Sequence, residues 1–375
     1  MINLLYLDNS ATTPIHPDVK DAMLPYLLEE FGNPSSKYYS YAVNSKDAVL
    51  TARQQLAELL GCKKDEVIFT SGSTESNNFI LKGITNQRKQ DGKHIITTSV
   101  EHPSVLEVCK YLEQIGYELT ILPVDEFGRV SIGDFSEAIR SDTILVSIQW
   151  GNNELGTLQP MTDIATICLE KGIFLHSDAT QVIGKIELNL EDFPGLSAIS
   201  ISSHKYFGPK GIGAVFLRQD QYNMFPEITP LLHGGGQENG LRSGTLAVHN
   251  IVGMGKASEI AHLNLTKNIL KLTKLENYLK EILSNQFGSK IKFNNSINQK
   301  IPGILSVQFI GINNEILVKQ LAPIMAVSTG SACSSSKPSH VLAAIGLELN
   351  EIRQTIRFSL SPYIQQMELD IFKSL

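Results

Sequence analysis

Three polar clusters in the sequence each follow a short apolar run. The first is the hydroxyl-rich turn from Thr70 to Asn78, which contains Ser73 and Thr74. Amide groups at the start of a helix, together with hydroxyl groups, bind anions such as phosphate. Alternatively, Ser73 or Thr74 caps the helix, and Gly72 is there for the turn. The turn lacks a Gly-Lys-Ser/Thr ending, which excludes a Walker-type nucleotide loop.

The other two clusters place a carboxylate and an amine beyond apolar runs. Asp178 closely follows the run Gly172 to Leu175. It can pair with a protonated ring nitrogen or a metal ion, or it can cap a segment that begins at Ala179. Lys205 follows another apolar run and precedes a glycine-rich stretch. It is either an exposed turn residue or an amine in a partly apolar pocket that can form a Schiff base.

Apolar runs that alternate with segments of helical periodicity must position these clusters. The pattern predicts an α/β fold with a mostly parallel seven-stranded sheet that is covered on both faces. The runs are Val67–Phe69, His94–Ile96, Leu119–Leu122, Thr143–Ile148, Gly172–Leu175, Ala198–Ile201 and Ala214–Leu217. In such sheets ligands bind where strands end. A phosphate site, a carboxylate and a Schiff-base lysine at neighbouring strand ends meet the requirements of pyridoxal 5′-phosphate (PLP).

A second, smaller α/β domain is predicted beyond about residue 250. The long helical stretch from Ile251 to Leu283 is followed by apolar runs at Ile304–Phe309 and Thr355–Leu360. We predict a large PLP-binding domain over residues 14–250. Residues 1–13 and 251–375 are predicted to form the small domain, which carries the loop around Cys333.

The four cysteines are scattered, which predicts neither a disulfide framework nor a zinc site. Cys62, Cys109 and Cys168 lie in partly apolar, helical contexts that are typical of buried, inert thiols. Cys333 lies among small residues between Ser328 and Pro338, which predicts an accessible thiol.

Composition excludes several classes of protein. The 375 residues are 42% hydrophobic and 19% charged, which is a globular composition, and the net charge is −6. This modest acidity, without runs of Lys or Arg, disfavours direct binding to nucleic acid or to anionic membranes. The sequence shows no signal-peptide pattern and no apolar stretch of the ~18 residues that a membrane span needs. A cytoplasmic location is therefore expected.

Motifs along nearly the whole chain resemble the class V (fold-type I) PLP-dependent aminotransferase family. Within that family the chain is similar to the cysteine desulfurases of the nitrogenase-associated and housekeeping iron–sulfur type. The matching segments are Tyr6–Pro14, Phe31–Ser36, Thr70–Asn78, Glu101–His102, Asn152–Gly156, Asp178–Gln181, Ser202–Lys205, His233–Glu238, Arg242–Thr245, Gly330–Cys333 and Ile356–Leu360.

The resemblance implies a role for each candidate residue. Lys205 would link PLP as a Schiff base and move protons, while His102 would stack on the ring and assist proton transfer. Asp178 would pair with the ring nitrogen, and Gln181 would bind the phenolate oxygen. The residues implied for phosphate are Ser73, Thr74, Ser202 and His204, with Thr245 reaching the phosphate of the partner subunit in a homodimer. Those implied for the substrate are Arg357, Asn153 and Asn33; no resident metal is implied.

The implied reaction takes sulfur from L-cysteine. Cys333 would attack the substrate sulfur, which leaves a Cys333 persulfide and L-alanine. A sulfur-acceptor protein would then receive the sulfur for iron–sulfur assembly, tRNA thiolation or DNA phosphorothioation. Because the chain ends soon after Arg357, we expect a dedicated acceptor and not the general iron–sulfur scaffold.

Other activities remain open on sequence grounds. The same scaffold supports selenocysteine lyases and other class V PLP lyases and aminotransferases. From another class, a thiol hydrolase could pair Cys333 with His102 or His340. Such a hydrolase leaves Asp178, Lys205 and the hydroxyl-rich turn without a role.

Overall fold

The computed structural model describes residues 4–330 and 338–374. The strands are β1 (Leu5–Tyr6), β2 (Val67–Thr70), β3 (His94–Thr98), β4 (Glu118–Leu122), β5 (Thr143–Ser147), β6 (Phe174–Asp178), β7 (Ala198–Ser202), β8 (Gly213–Leu217), β9 (Ile291–Phe293), β10 (Ile304–Phe309), β11 (Met325–Ala326) and β12 (Thr355–Ser359). The α-helices are α1 (Pro17–Leu28), α2 (Ser40–Leu60), α3 (Ser73–Gln87), α4 (Pro103–Gln114), α5 (Ile132–Ala138), α6 (Met161–Lys171), α7 (Val248–Phe287), α8 (Asn314–Leu321), α9 (His340–Ala344) and α10 (Leu349–Ile352).

A seven-stranded sheet forms the centre of the molecule, in the order β2-β8-β7-β6-β5-β3-β4. Only β8 runs antiparallel to its neighbours; the other pairs are parallel. Most of its strands are buried along their whole length, because helices cover both faces, and this explains their continuous apolar runs. The predicted α/β fold class with a mostly parallel seven-stranded sheet is confirmed.

The sheet register brings two of the polar clusters to one edge. β6 and β7 are parallel neighbours, and Asp178 at the end of β6 pairs with Ser200 in β7. Lys205 follows β7 in a single 3₁₀ turn, Ser203–Lys205. Both side chains therefore emerge at the carboxyl ends of adjacent strands, as the sequence predicts.

Helix α7 contributes to two of the hydrophobic cores within the described residues. Its first part, up to Ala261, packs with the central sheet. Its second part, from Leu272, packs with β10 and β12 of a three-stranded antiparallel sheet and with Leu5 of β1. The predicted boundary at residue 250 lies near the start of α7, whereas the cores change between Ala261 and Leu272. A helix of 40 residues spans both cores, so its sequence carries no break at the transition. The division into residues 14–250 and residues 1–13 with 251–375 stays a prediction.

None of the helices within residues 4–330 and 338–374 combines the length and the apolar character that crossing a membrane requires.

Candidate active site

A cleft of about 230 Å³ opens at the carboxyl ends of β6 and β7, beside the first turns of α3 and α4. It brings together most of the residues that the sequence singles out. The lining residues are Ser10, Ala11, Ser73, Thr74, His102, Gln149, Gly151, Asn153, Asp178, Thr180, Gln181, His204, Lys205 and Arg357.

Lys205 is held by backbone that comes from the other end of the chain. Its Nζ donates hydrogen bonds to the carbonyl oxygens of Ser10 at 2.8 Å and Ala11 at 2.7 Å. Gly208 lets the following loop fold back over the turn, because a Cβ there would overlap the Ser203 hydroxyl. The alternative of an exposed turn lysine is wrong. Sequence reasoning gave residues 9–13 no role in holding the lysine, because nothing local marks a carbonyl group as a ligand of a distant amine.

Asp178 is nearly buried and held in a fixed orientation. One carboxylate oxygen accepts a hydrogen bond from Asn77 Nδ2 at 2.9 Å, and the other accepts one from the Thr180 backbone amide at 3.0 Å. The segment after Asp178 is a series of turns and not a helix, so the helix-cap alternative is wrong. Asn77 belongs to α3, and the sequence gave no sign that it would reach β6.

A buried histidine beneath Asp178 joins the three central strands. His176 lies 2.9 Å from the Ser147 hydroxyl in β5 and 2.9 Å from the Ser200 hydroxyl in β7. Burial lowers the pKa of His176 to about 4, against the opposing attraction of Asp178. The ring is therefore neutral at physiological pH and leaves Asp178 without a buried cationic neighbour at that position.

The hydroxyl-rich turn has the geometry of an anion site. Helix α3 begins at Ser73, and its N-cap is Gly72, which offers no capping side chain. Ser73 and Thr74 are therefore the first helical residues and not caps, which corrects the alternative. Ser202 lies close to this turn: its hydroxyl oxygen is 3.8 Å from the position that a Cβ atom on Gly72 would occupy. The amides of the first turn of α3 and these hydroxyl groups form one donor set.

His204 also lines the cleft, and its ring is neutral. Its Nδ1 lies 3.1 Å from the Thr12 hydroxyl. Burial, followed by repulsion from nearby lysines including Lys205, lowers the pKa of His204 to about 4. The side chain can therefore offer hydrogen bonds to an anion but no positive charge.

His102 is the N-cap of α4, and Pro103 is the first residue of that helix. Its Nδ1 accepts a hydrogen bond from the Ser104 backbone amide at 3.1 Å, so the proton of the neutral ring is on Nε2. Burial, more than any charge, lowers the pKa of His102. The Ser104 hydroxyl also lies 2.8 Å from His102 Nδ1 and accepts from Asn77, which itself donates to Asp178. One network therefore orients the predicted ring-stacking residue and the predicted ring-nitrogen carboxylate.

Arg357, in β12, is 1% exposed, so the alternative of a surface arginine is wrong. Its Nη2 lies 2.7 Å from an Asp8 carboxylate oxygen, and its Nη1 donates to the Asn153 carbonyl at 3.1 Å. Its Nε has no hydrogen-bond partner among the residues that the structure describes. Asp8 thus holds a guanidinium group that lines the cleft, and each Nη carries a second N–H that these two contacts do not use. Asp8 belongs to the matching segment Tyr6–Pro14, yet its residue type alone did not predict that it would pair with Arg357.

We expect Arg357→Lys to raise the KM for substrate about 10- to 30-fold while cofactor content stays at the wild-type level. Lysine keeps a charge for Asp8 but lacks the planar fork, which costs ~1.5 to 2 kcal/mol at a carboxylate. Steady-state kinetics measure KM and kcat, and the absorption of bound cofactor measures its content. Arg353→Lys, at an exposed position four residues earlier, is the matched control. Wild-type KM and kcat in Arg357→Lys would remove Arg357 from substrate binding.

Four predicted residues do not line this cleft. One of them, Ser202, lies near the start of α3. Thr245 and Asn33 are exposed and do not line it in this chain. Cys333 lies outside the described residues. Within those residues, no group of three or more His, Cys, Asp or Glu side chains could hold a metal ion.

The fold and the cleft together define a fold-type I enzyme, with a lysine and a carboxylate at adjacent strand ends beside the first turn of α3. Residues 5–372 match the family described as Aminotransferase class-V. Cysteine desulfurase IscS of Dictyoglomus turgidum is 43% identical over 369 residues, which are 98% of this chain and 92% of that protein.

Solved structures agree with this assignment. A NifS-like protein superposes with a TM-score of 0.91 at 37% identity, covering 99% of this chain and 97% of the other. SspA in complex with cysteine superposes with a TM-score of 0.83 at 37% identity, covering 96% of this chain and all of the other. The chain belongs to the aminotransferase class-V family and, within it, to the cysteine desulfurases. The resemblance and the enzyme class predicted from the sequence are confirmed.

Proposed function

We propose that this enzyme uses PLP to remove sulfur from L-cysteine, and that it produces L-alanine and a persulfide on Cys333. The observation that carries the proposal is the single cleft in which Lys205, Asp178 and Arg357 converge. An amine, a fixed carboxylate and a guanidinium group match the aldehyde, the ring nitrogen and the substrate carboxylate.

The residues of the cleft fit PLP. Asp178 is nearly buried and already oriented, so it can pair with a protonated ring nitrogen. The start of α3 with Ser73, Thr74 and nearby Ser202 can hold the phosphate, while His102 would cover the ring and Gln181 would donate to its phenolate oxygen. When bound, PLP stabilises negative charge at the α-carbon of the substrate.

The chain's own groups then supply binding and proton transfer. Arg357 and Asn153 hold the substrate carboxylate, and Lys205 takes the α-proton. The Cys333 thiolate forms an S–S bond to the substrate sulfur as the Cβ–S bond breaks. The electron pair of that bond stays with the three-carbon fragment, which is protonated and leaves as L-alanine.

A homodimer would complete the site. Phe31 is 72% and Leu28 71% exposed, and Phe31 stacks on Tyr41 with ring centroids 5.3 Å apart. Such exposed apolar groups around Asn33 favour a contact with a second copy of the chain. We propose that this pairing brings Thr245 to the partner subunit's phosphate site and Asn33 to a substrate.

The persulfide is proposed to pass to a sulfur-acceptor protein. The net charge of −6 disfavours direct binding to nucleic acid or membrane, so any nucleic acid would be handled by the acceptor. A cytoplasmic location is proposed with it.

Product analysis tests the function against its alternatives. The PLP-loaded enzyme, incubated with L-cysteine and dithiothreitol, should release sulfide and L-alanine in equal amounts. Pyruvate and ammonia in place of alanine would indicate a lyase, and a requirement for a keto acid would indicate an aminotransferase. Turnover of L-selenocysteine alone would indicate a selenocysteine lyase. Full activity without PLP would favour a thiol hydrolase.

A further inference from the structure

A second lysine lies behind the cleft and contacts one of its lining residues. Lys185 follows Gln181 by four residues in a series of turns, and its Nζ donates to Gln181 Oε1 at 2.9 Å. Gly184 has φ +72° and packs against Tyr206 and Ala261, so the turn there requires a glycine. The lysine is thereby directed back onto Gln181.

Gln181 connects this lysine to the residues that hold Lys205. Its Nε2 donates to the Ser10 carbonyl at 2.9 Å. The same carbonyl accepts from Lys205 Nζ at 2.8 Å. A chain of hydrogen bonds therefore runs from Lys185 through Gln181 and Ser10 to Lys205.

The chemistry of these groups determines how the Gln181 amide is turned. A charged lysine side chain can donate hydrogen bonds but cannot accept them, and a backbone carbonyl can accept but cannot donate. Gln181 must therefore present its oxygen to Lys185 and its nitrogen to Ser10. The second N–H of that nitrogen then remains for the cleft, which Gln181 lines.

The charges around Lys185 add an electrostatic effect. Burial, followed by repulsion from Lys205 and Arg357, lowers the pKa of Lys185 to about 7. Lys205 lies in the 3₁₀ turn after β7, and Arg357 lies in β12. His204, kept neutral by its own burial and by cations that include Lys205 and Lys185, is another titratable group that interacts with Lys185. Near neutral pH a fraction of Lys185 is therefore a cation directed at the cleft.

We propose that Lys185 is a positioning residue that keeps the Gln181 amide turned with its N–H groups towards the cofactor. The inference rests on the proposed function, in which Gln181 donates to the phenolate oxygen of PLP linked to Lys205. A donor at that oxygen, together with a cation behind it, stabilises the anionic oxygen. Both effects lower the pH at which the linked cofactor loses its proton.

The test is a pH titration of the visible absorption of the PLP-loaded enzyme. In Lys185→Met the midpoint between the two absorbing forms should move to higher pH by about 0.5 to 1 unit, which is about a three- to tenfold change in proton affinity. Lys185→Arg keeps a charged donor and should titrate within about 0.2 unit of wild type. Lys171→Met, at an exposed position, is the matched control.

A second measurement separates positioning from a general loss of packing. In a Gln181→Leu background, adding Lys185→Met should shift the midpoint by less than half as much, because the amide that Lys185 orients is gone. Lower stability or cofactor content with an unchanged midpoint in Lys185→Met would overturn the proposal, as would equal shifts in both backgrounds. A wild-type enzyme without a titrating, borohydride-reducible linkage would overturn the proposed function instead, and this inference with it.

Discussion

Lys205→Ala should give a folded protein that carries no covalently linked PLP and turns over L-cysteine at least about 10³-fold more slowly. The substitution removes both the amine that links the cofactor and the base that takes the α-proton. It also removes one hydrogen bond from each of the carbonyls of Ser10 and Ala11, both of which line the cleft. The Ser10 carbonyl keeps its hydrogen bond from Gln181, so we expect a small effect on the free energy of unfolding.

Borohydride reduction followed by peptide mapping measures this directly. In wild type the pyridoxyl group should be found on Lys205 and nowhere else. Lys110→Ala, on the exposed face of α4, is the control and should keep both the linkage and the activity. A pyridoxyl group on Lys185, the other lysine next to Gln181, would show that the linkage has been assigned to the wrong residue.

Cys333→Ser should keep its PLP and bind L-cysteine, but release sulfide at least about 10²-fold more slowly under reducing conditions. A hydroxyl group is a far weaker nucleophile than a thiolate towards sulfur, and none of the groups proposed to bind PLP belongs to the Cys333 loop. The readouts are the absorption change on adding L-cysteine, the rate of sulfide release, and the mass of a persulfide on the peptide that contains Cys333.

Cys62→Ser is the matched control for this substitution. Cys62 is half-buried, and burial, with nearby carboxylates, raises the pKa of its thiol, so it should carry no persulfide. Burial raises the pKa of Cys109 and of Cys168 to about 12, which makes them equally poor nucleophiles. Near wild-type turnover in Cys333→Ser would remove Cys333 from the mechanism and favour a lyase.

The sequence by itself determined the central sheet and the residue types of the cleft. A strand that is buried on both faces is mostly apolar, so the six fully buried strands each left a local signal. The edge strand β4 is only partly buried and still left the run Leu119–Leu122. Parallel strands end at one edge, so Asp178 and Lys205 could be placed near each other from their positions after two such strands. Motif order along the chain then indicated the family.

Tertiary structure decided which alternatives hold and what surrounds each group. Whether Ser73 caps a helix depends on where α3 begins, and whether Arg357 is exposed depends on packing around β12. The change of core within α7 left no local signal, because the helix is continuous through it.

The partners of the central residues also came only from the three-dimensional structure. Ser10 and Ala11 hold Lys205 through backbone carbonyls, which every residue type possesses. Asp8 pairs with Arg357 across 349 positions of sequence. Contacts between distant segments depend on how the chain closes on itself, and no local pattern of residue types records that closure.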